Sequence, residues 1–106
     1  MSATQWSPSE KKIARRVYDA AVERELAEIM AEFKSQAAKA TKPTDMWDVR
    51  DYLTRTQRDF NAKYEFRFSG LLFVFGVLLR ERRYEITELQ GLDKDKLDLI
   101  WRASML

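Results

Sequence analysis

Six residues of one segment carry the side chains best suited to recognition. Trp47, Arg50, Asp51, Thr54, Gln57 and Arg58 lie at offsets of three, four, seven, ten and eleven, which on a helix return to nearly the same arc. An indole beside two guanidiniums, a carboxylate and an amide offers an apolar anchor ringed by charged donors and acceptors. Bond-making chemistry is a different matter. The chain has no histidine and no cysteine, so the commonest general base, thiol nucleophile and thiolate ligand are missing. No Gly-rich phosphate loop, metal-ligand cluster or nucleophile paired with a base can be assembled from what remains. The reading is therefore of a protein that is not an enzyme and that needs no cofactor or metal. Two accounts of the arc stay open: a solvated face whose Trp shelters against a neighbouring element, or a contact surface for another protein.

Composition narrows the alternatives. Nineteen basic and seventeen acidic residues leave a net charge of only +2. Arg50, Arg55, Arg58 and Lys63 with Trp47 and Tyr52 could suggest nucleic acid, but Asp48, Asp51 and Asp59 dilute the field that phosphate binding relies on. No nucleic-acid partner is expected. A chain of 106 residues suits one domain. The N-terminal segment lacks an apolar stretch followed by a small-residue cleavage site. The longest apolar run, Leu71 to Leu79, falls far short of the ~20 residues of a membrane span, so no integral membrane segment is expected and a cytoplasmic location is the default. Carboxylates such as Glu28 and Glu32 read as members of solvated helix pairs.

The elements that position the arc are helical. Ser7-Pro8-Ser9-Glu10 is a capping box with proline at the first helical position; it predicts a helix from Pro8 to about Ala40. Its main apolar stripe is Tyr18, Val22, Leu26, Ile29, Phe33, Ala37 and Ala40, with a second patch of Ile13, Val17, Ala20 and Ala21 on the first half only. Thr41-Lys42-Pro43-Thr44 breaks it. Thr44 or Asp45 caps a second helix to about Tyr64, with Met46, Val49, Leu53, Phe60 and Tyr64 as its apolar stripe. The short connector makes the two an antiparallel hairpin. Ser69-Gly70 is a further break. Leu71 to Leu79 is apolar all round; with no second strand to pair with it, a central buried helix from about Ser69 to Arg83 is expected, packed near Val17, and the pattern places Phe73 and Phe75 in the core. Glu85 to Gln90 reads as a short helical turn ended by Gly91, and Asp93 caps a last helix carrying Leu97, Ile100 and Trp101.

TDMWDVRDYL, followed downstream by KYEFRFS and LLFVFGVLLRE, resembles the fluorescence recovery protein family, regulators that return the photoactivated orange carotenoid protein to its resting form. Trp47, Asp51, Lys63, Tyr64, Arg67 and Phe73 to Phe75 match the family's pattern. Arg50 stands where that pattern has His, and Gln57 where it has Arg; Arg58 lies on the same arc one step further round. The resemblance implies a non-enzymatic binder that ends photoprotective, non-photochemical quenching by engaging the carotenoid protein's C-terminal domain. Trp47, Arg50, Asp51, Gln57 and Arg58 would be its contacts, and Phe73 a contact on the head. The alternative is a homologue of the same fold that serves a different partner in an organism without carotenoid photoprotection.

The expected fold is all-α: a long antiparallel stem, about residues 25–60, and a small head formed by the start of helix one and about 65–106. At ~1.5 Å per residue the first helix extends roughly 50 Å, more than the head can cover. Ile29, Phe33, Met46, Val49 and Leu53 are thus left to a second copy, and an elongated homodimer is expected. The resemblance implies the same dimer.

Overall fold

The computed structural model describes residues 5–106. Four α-helices and one 3-10 turn follow in order: α1, Pro8–Lys39; α2, Asp45–Lys63; α3, Leu71–Arg80; the turn Ile86–Leu89; and α4, Lys94–Ser104. The molecule extends 59 × 23 × 19 Å with a radius of gyration of 16.9 Å, against about 13 Å for a compact chain of this length.

Local chemistry sets most boundaries. The Glu10 amide donates to Ser7 Oγ (3.2 Å) and the Ser7 amide to Glu10 Oε1 (3.0 Å), completing the capping box of α1. Asp93 caps α4 by accepting from the Lys96 amide (3.0 Å). The start of α2 differs from expectation. Thr44 makes no side-chain cap; instead the Asp45 carboxylate reaches back to the amides of Thr41 (2.9 Å) and Lys42 (3.0 Å) and ties down the connector itself.

The core lies at one end. Ala14, Val17, Tyr18 and Ala21 of α1 form one cluster with Leu71, Val74, Phe75 and Leu78 of α3, Tyr84, Leu89, Leu92 and Ile100. Helix α3 is the centre of this head, as its all-round apolar sequence requires. Gly76 permits its close approach to α4: a Cβ there would collide with that of Ala103. From residue 26 to residue 70 no residue is buried. Within that stretch α1 and α2 lie side by side as the stem, and the chain after α2 returns along the head, where Tyr64, Phe66 and Phe68 pack against its core.

Three expectations need correction. The run ends as a helix at Arg80, three residues early, because Arg82 takes a positive φ of 60°. The amides of Arg82 and Arg83 then close onto the carbonyls of Leu79 and Leu78, the pattern that usually ends a helix at glycine. Phe73 is exposed over 60% of its surface while Phe75 is fully buried; two residues on a helix are ~200° apart, so they cannot share a face. Trp101 is likewise exposed, and the buried positions of α4 are Lys96 and Ile100.

Candidate functional site

Helix α2 buries none of its residues, so its outer arc is set by helical geometry alone. On that arc Trp47 is 53% exposed. The Arg50 guanidinium lies over the indole, 5.1 Å from its centre, and donates to Asp51 Oδ1 through Nε (3.3 Å) and Nη2 (3.1 Å). Trp47, Arg50 and Asp51 therefore form a single exposed cluster, in which the carboxylate holds the cation against the ring. Arg58 stands apart, loosely paired with Asp59 at 3.6 Å.

The division into a charged arc and a separate apolar stripe is less sharp than the spacing implied. Arg50, Thr54 and Gln57 line a groove of about 580 Å³ between α1 and α2, together with Leu26, Ile29, Leu53 and Phe60. Polar donors thus edge an apolar floor. Among the residues expected to meet a second copy, Met46 is 56% exposed, Leu53 is also exposed, and Ile29, Phe33 and Val49 are half-buried. Leu26 and Met30 extend this exposed apolar surface along α1. Phe73 lies on α3, outside this cluster, and edges a second groove with Val74, Val77, Ala62, Asp59 and Glu65.

Where stem meets head, charges are gathered that spacing did not reveal. Glu25 is buried in the middle of α1; Lys63, Tyr64 and Arg83 converge on it, and Glu81 pairs with both Lys63 and Arg83. Spacing assigns Lys63 to the basic residues of the second helix and Tyr64 to its apolar stripe, and the family motif includes both; none of these readings joins them to Glu25. Glu28, expected to pair along its own helix, meets Arg83 instead. A second buried cluster joins the ends of the head: Lys96, fully buried, contacts Glu10 at 3.3 Å and Asp93 at 3.1 Å. Between α2 and α3 the chain is extended, and Tyr64, Phe66 and Phe68 turn inward while Glu65, Arg67 and Ser69 turn out. That alternation of period two was the available signal. The rings touch in series, edge-to-face or tilted, from Phe60 through Tyr64, Tyr18, Phe66 and Phe68 to Trp6, with centroids 4.5 to 5.6 Å apart.

These features define a class: an all-helical protein of stem and head that keeps an aromatic and cationic cluster on the surface of the stem. The family model described as photoprotection regulator fluorescence recovery protein matches residues 6–103. The fluorescence recovery protein of Synechocystis sp. (strain ATCC 27184 / PCC 6803 / Kazusa) is 34% identical over 91 residues, 86% of this chain and 84% of that protein. The solved structure of the Fremyella diplosiphon fluorescence recovery protein matches with a TM-score of 0.91 at 29% identity, covering 96% of this chain and 100% of that one. The one from Synechocystis sp. PCC 6803 gives 0.92 at 32% identity over the same shares. The chain belongs to the fluorescence recovery protein family of photoprotection regulators. No helix of the described residues is long and apolar enough to cross a membrane.

Proposed function

We propose that this protein is a non-enzymatic regulator that engages the C-terminal domain of the photoactivated orange carotenoid protein in the cytoplasm and accelerates its return to the resting form, ending photoprotective quenching. No bond is made or broken. A binder speeds such a relaxation by favouring the compact arrangement, or by holding two separated domains at raised effective concentration. The observation that carries this reading is the exposed cluster of Trp47, Arg50 and Asp51 on a helix with no fully buried residue. Trp47 is the apolar anchor, Arg50 and Arg58 donate to carboxylates or carbonyls of the partner, and Asp51 orients Arg50. Gln57 adds a neutral hydrogen-bonding group, and the exposed Phe73 a second apolar contact on the head.

The working form is a homodimer. The apolar surface of Ile29, Phe33, Met46, Val49 and Leu53, only partly covered within a single chain, supports a two-fold contact between stems.

A second reading keeps the fold and changes the partner. Arg50 and Gln57 stand where the family's pattern has His and Arg, and both line the stem groove, so the surface differs where contact is expected. Timing the dark recovery of photoactivated orange carotenoid protein with and without this protein separates the two. Acceleration at substoichiometric to equimolar protein is expected; unchanged recovery at a large excess sinks the first reading and leaves the second.

A further inference from the structure

We infer that Glu25, Lys63, Tyr64, Glu81 and Arg83 form an ionic joint that sets the angle of α2, and with it the contact arc, relative to the head. The Glu25 carboxylate is the hub. Lys63 Nζ approaches its two oxygens at 2.6 and 2.7 Å, the Tyr64 hydroxyl donates to Oε1 at 2.8 Å, and Arg83 Nε stands 3.3 Å from the same atom. Lys63 also donates to Glu81 at 2.7 Å and Arg83 to Glu81 at 3.2 Å, while Arg83 reaches Glu28 with its other arm. Three elements therefore meet at one point: the middle of α1, the last residue of α2 and the end of α3. The chain after α3 is bent for this purpose, because the left-handed conformation of Arg82 (φ 60°) turns Arg83 back toward α1. Arg24 donates to the Arg83 carbonyl at 2.8 Å and fixes that bend from the α1 side.

The joint matters because it fixes the head end of α2. No residue of α2 is fully buried; along its length it meets α1 through a half-buried face that includes Val49, Tyr52 and Phe60, and at its other end Asp45 ties it to the connector. The seventeen residues from Trp47 to Lys63 span ~24 Å at 1.5 Å per residue, so a tilt of ~10° over that length displaces one end relative to the other by about 4 Å, more than a hydrogen bond tolerates. Buried ion pairs of this kind are poor sources of net stability but, with their fixed partners and directions, good at selecting one arrangement over its neighbours. Lys63 and Tyr64 are thus positioning residues for the contact arc, which they do not themselves join.

The absence of native cysteine makes a distance measurement direct. Nitroxide labels at Arg55→Cys on α2 and Asp98→Cys on α4, both exposed sites, would be read by pulsed dipolar spectroscopy, with the labelled chain diluted into excess unlabelled protein so that distances within one chain dominate. A single narrow distribution is expected for the parent. Lys63→Met and Glu25→Gln should at least double its width with helix content retained, Tyr64→Phe should widen it less, and Lys63→Arg should restore it. If Glu25→Gln fails to fold, Lys63→Met and Tyr64→Phe carry the same test. Widths unchanged in the neutralised variants, whatever their melting temperatures, overturn the joint and leave these residues merely structural. The consequence for recovery rests on the function proposed above: widened variants should lose acceleration at least tenfold. A parent that does not accelerate recovery defeats that function and leaves the distance result standing.

Discussion

At the scale of single residues, position on a helix decides between core and contact. Phe73 and Phe75 have the same chemistry, yet Phe75 fills the head and Phe73 meets solvent. Trp47 is held in the open by helical geometry, with Arg50 laid across it and Asp51 fixing Arg50. Because Trp47 lies outside the core cluster, Trp47→Ala should leave the melting temperature close to the parent's, within about 0.5 kcal/mol of stability. It should weaken the acceleration of carotenoid-protein recovery by ten-fold or more, in keeping with about 2 kcal/mol for an aromatic anchor. Titrating recovery rate against protein concentration gives both apparent affinity and maximal rate. Full activity of the variant removes Trp47 from the contact. Arg82 tests the opposite effect, since a side chain in the left-handed region is unfavourable by roughly 1 kcal/mol. Arg82→Gly relieves this, and calorimetry should record a melting temperature several degrees higher; a lower one would show that the Arg82 side chain contributes more than its backbone conformation loses.

At the scale of elements, the head is held by a close approach and by buried charge. Gly76 lets α3 and α4 touch, and any Cβ at that position meets Ala103. Gly76→Ala should destabilise the protein by about 1–3 kcal/mol, the range for overpacking a filled core. Urea unfolding would detect this as a lower midpoint at unchanged slope; a neutral result would mean that α4 can retreat freely. Lys96 needs its two carboxylates for a different reason. A fully buried ammonium is tolerable only with Glu10 and Asp93 beside it, and these pairs tie the first turn of α1 to the cap of α4. Neither feature is visible from periodicity alone.

At the scale of the whole molecule, two properties follow from how charge and apolar surface are distributed. Stability must fall in acid. Burial pushes the Glu10 and Glu81 carboxyls up, but the Ser7 and Asp93 amides with Lys96 hold Glu10 down, and Lys63 and Arg83 do the same for Glu81. The Arg24 guanidinium lowers Glu88, and the Lys96 amide and then its ammonium lower Asp93. All four groups bind a proton less readily folded than unfolded. Their stabilisation is thus complete above the unfolded carboxylate range near ~4 and is lost as pH drops through the folded values. Urea midpoints should be flat from about pH 8 to 5 and decline below ~4.3; a decline already complete by pH 5 would contradict the assignment. The second is the association expected of the proposed dimer. Met46, 56% exposed on the stem, should be covered by a second copy, and Met46→Glu would place a carboxylate in that contact. Sedimentation at micromolar concentration should then show monomers where the parent shows dimers. A parent that sediments as a folded monomer at high concentration would remove the stem interface.

What the sequence by itself determined is what short-range physics controls. The capping box at Ser7, the break at Pro43 and the cap at Asp93 act within three or four residues and were legible as such, as was the apolar run that had to become the central helix. The arc of Trp47, Arg50 and Asp51 was legible for the same reason, because one helix positions all three. Tertiary structure decided the rest. It chose which phenylalanine faces out, it stopped α3 early at Arg82, and it brought Glu25 to Lys63 and Tyr64, thirty-eight and thirty-nine residues away, and to Arg83. No spacing rule connects residues that far apart in the chain. Their meeting depends on how four helices pack, and that is settled only when the apolar surfaces of the head have found one another.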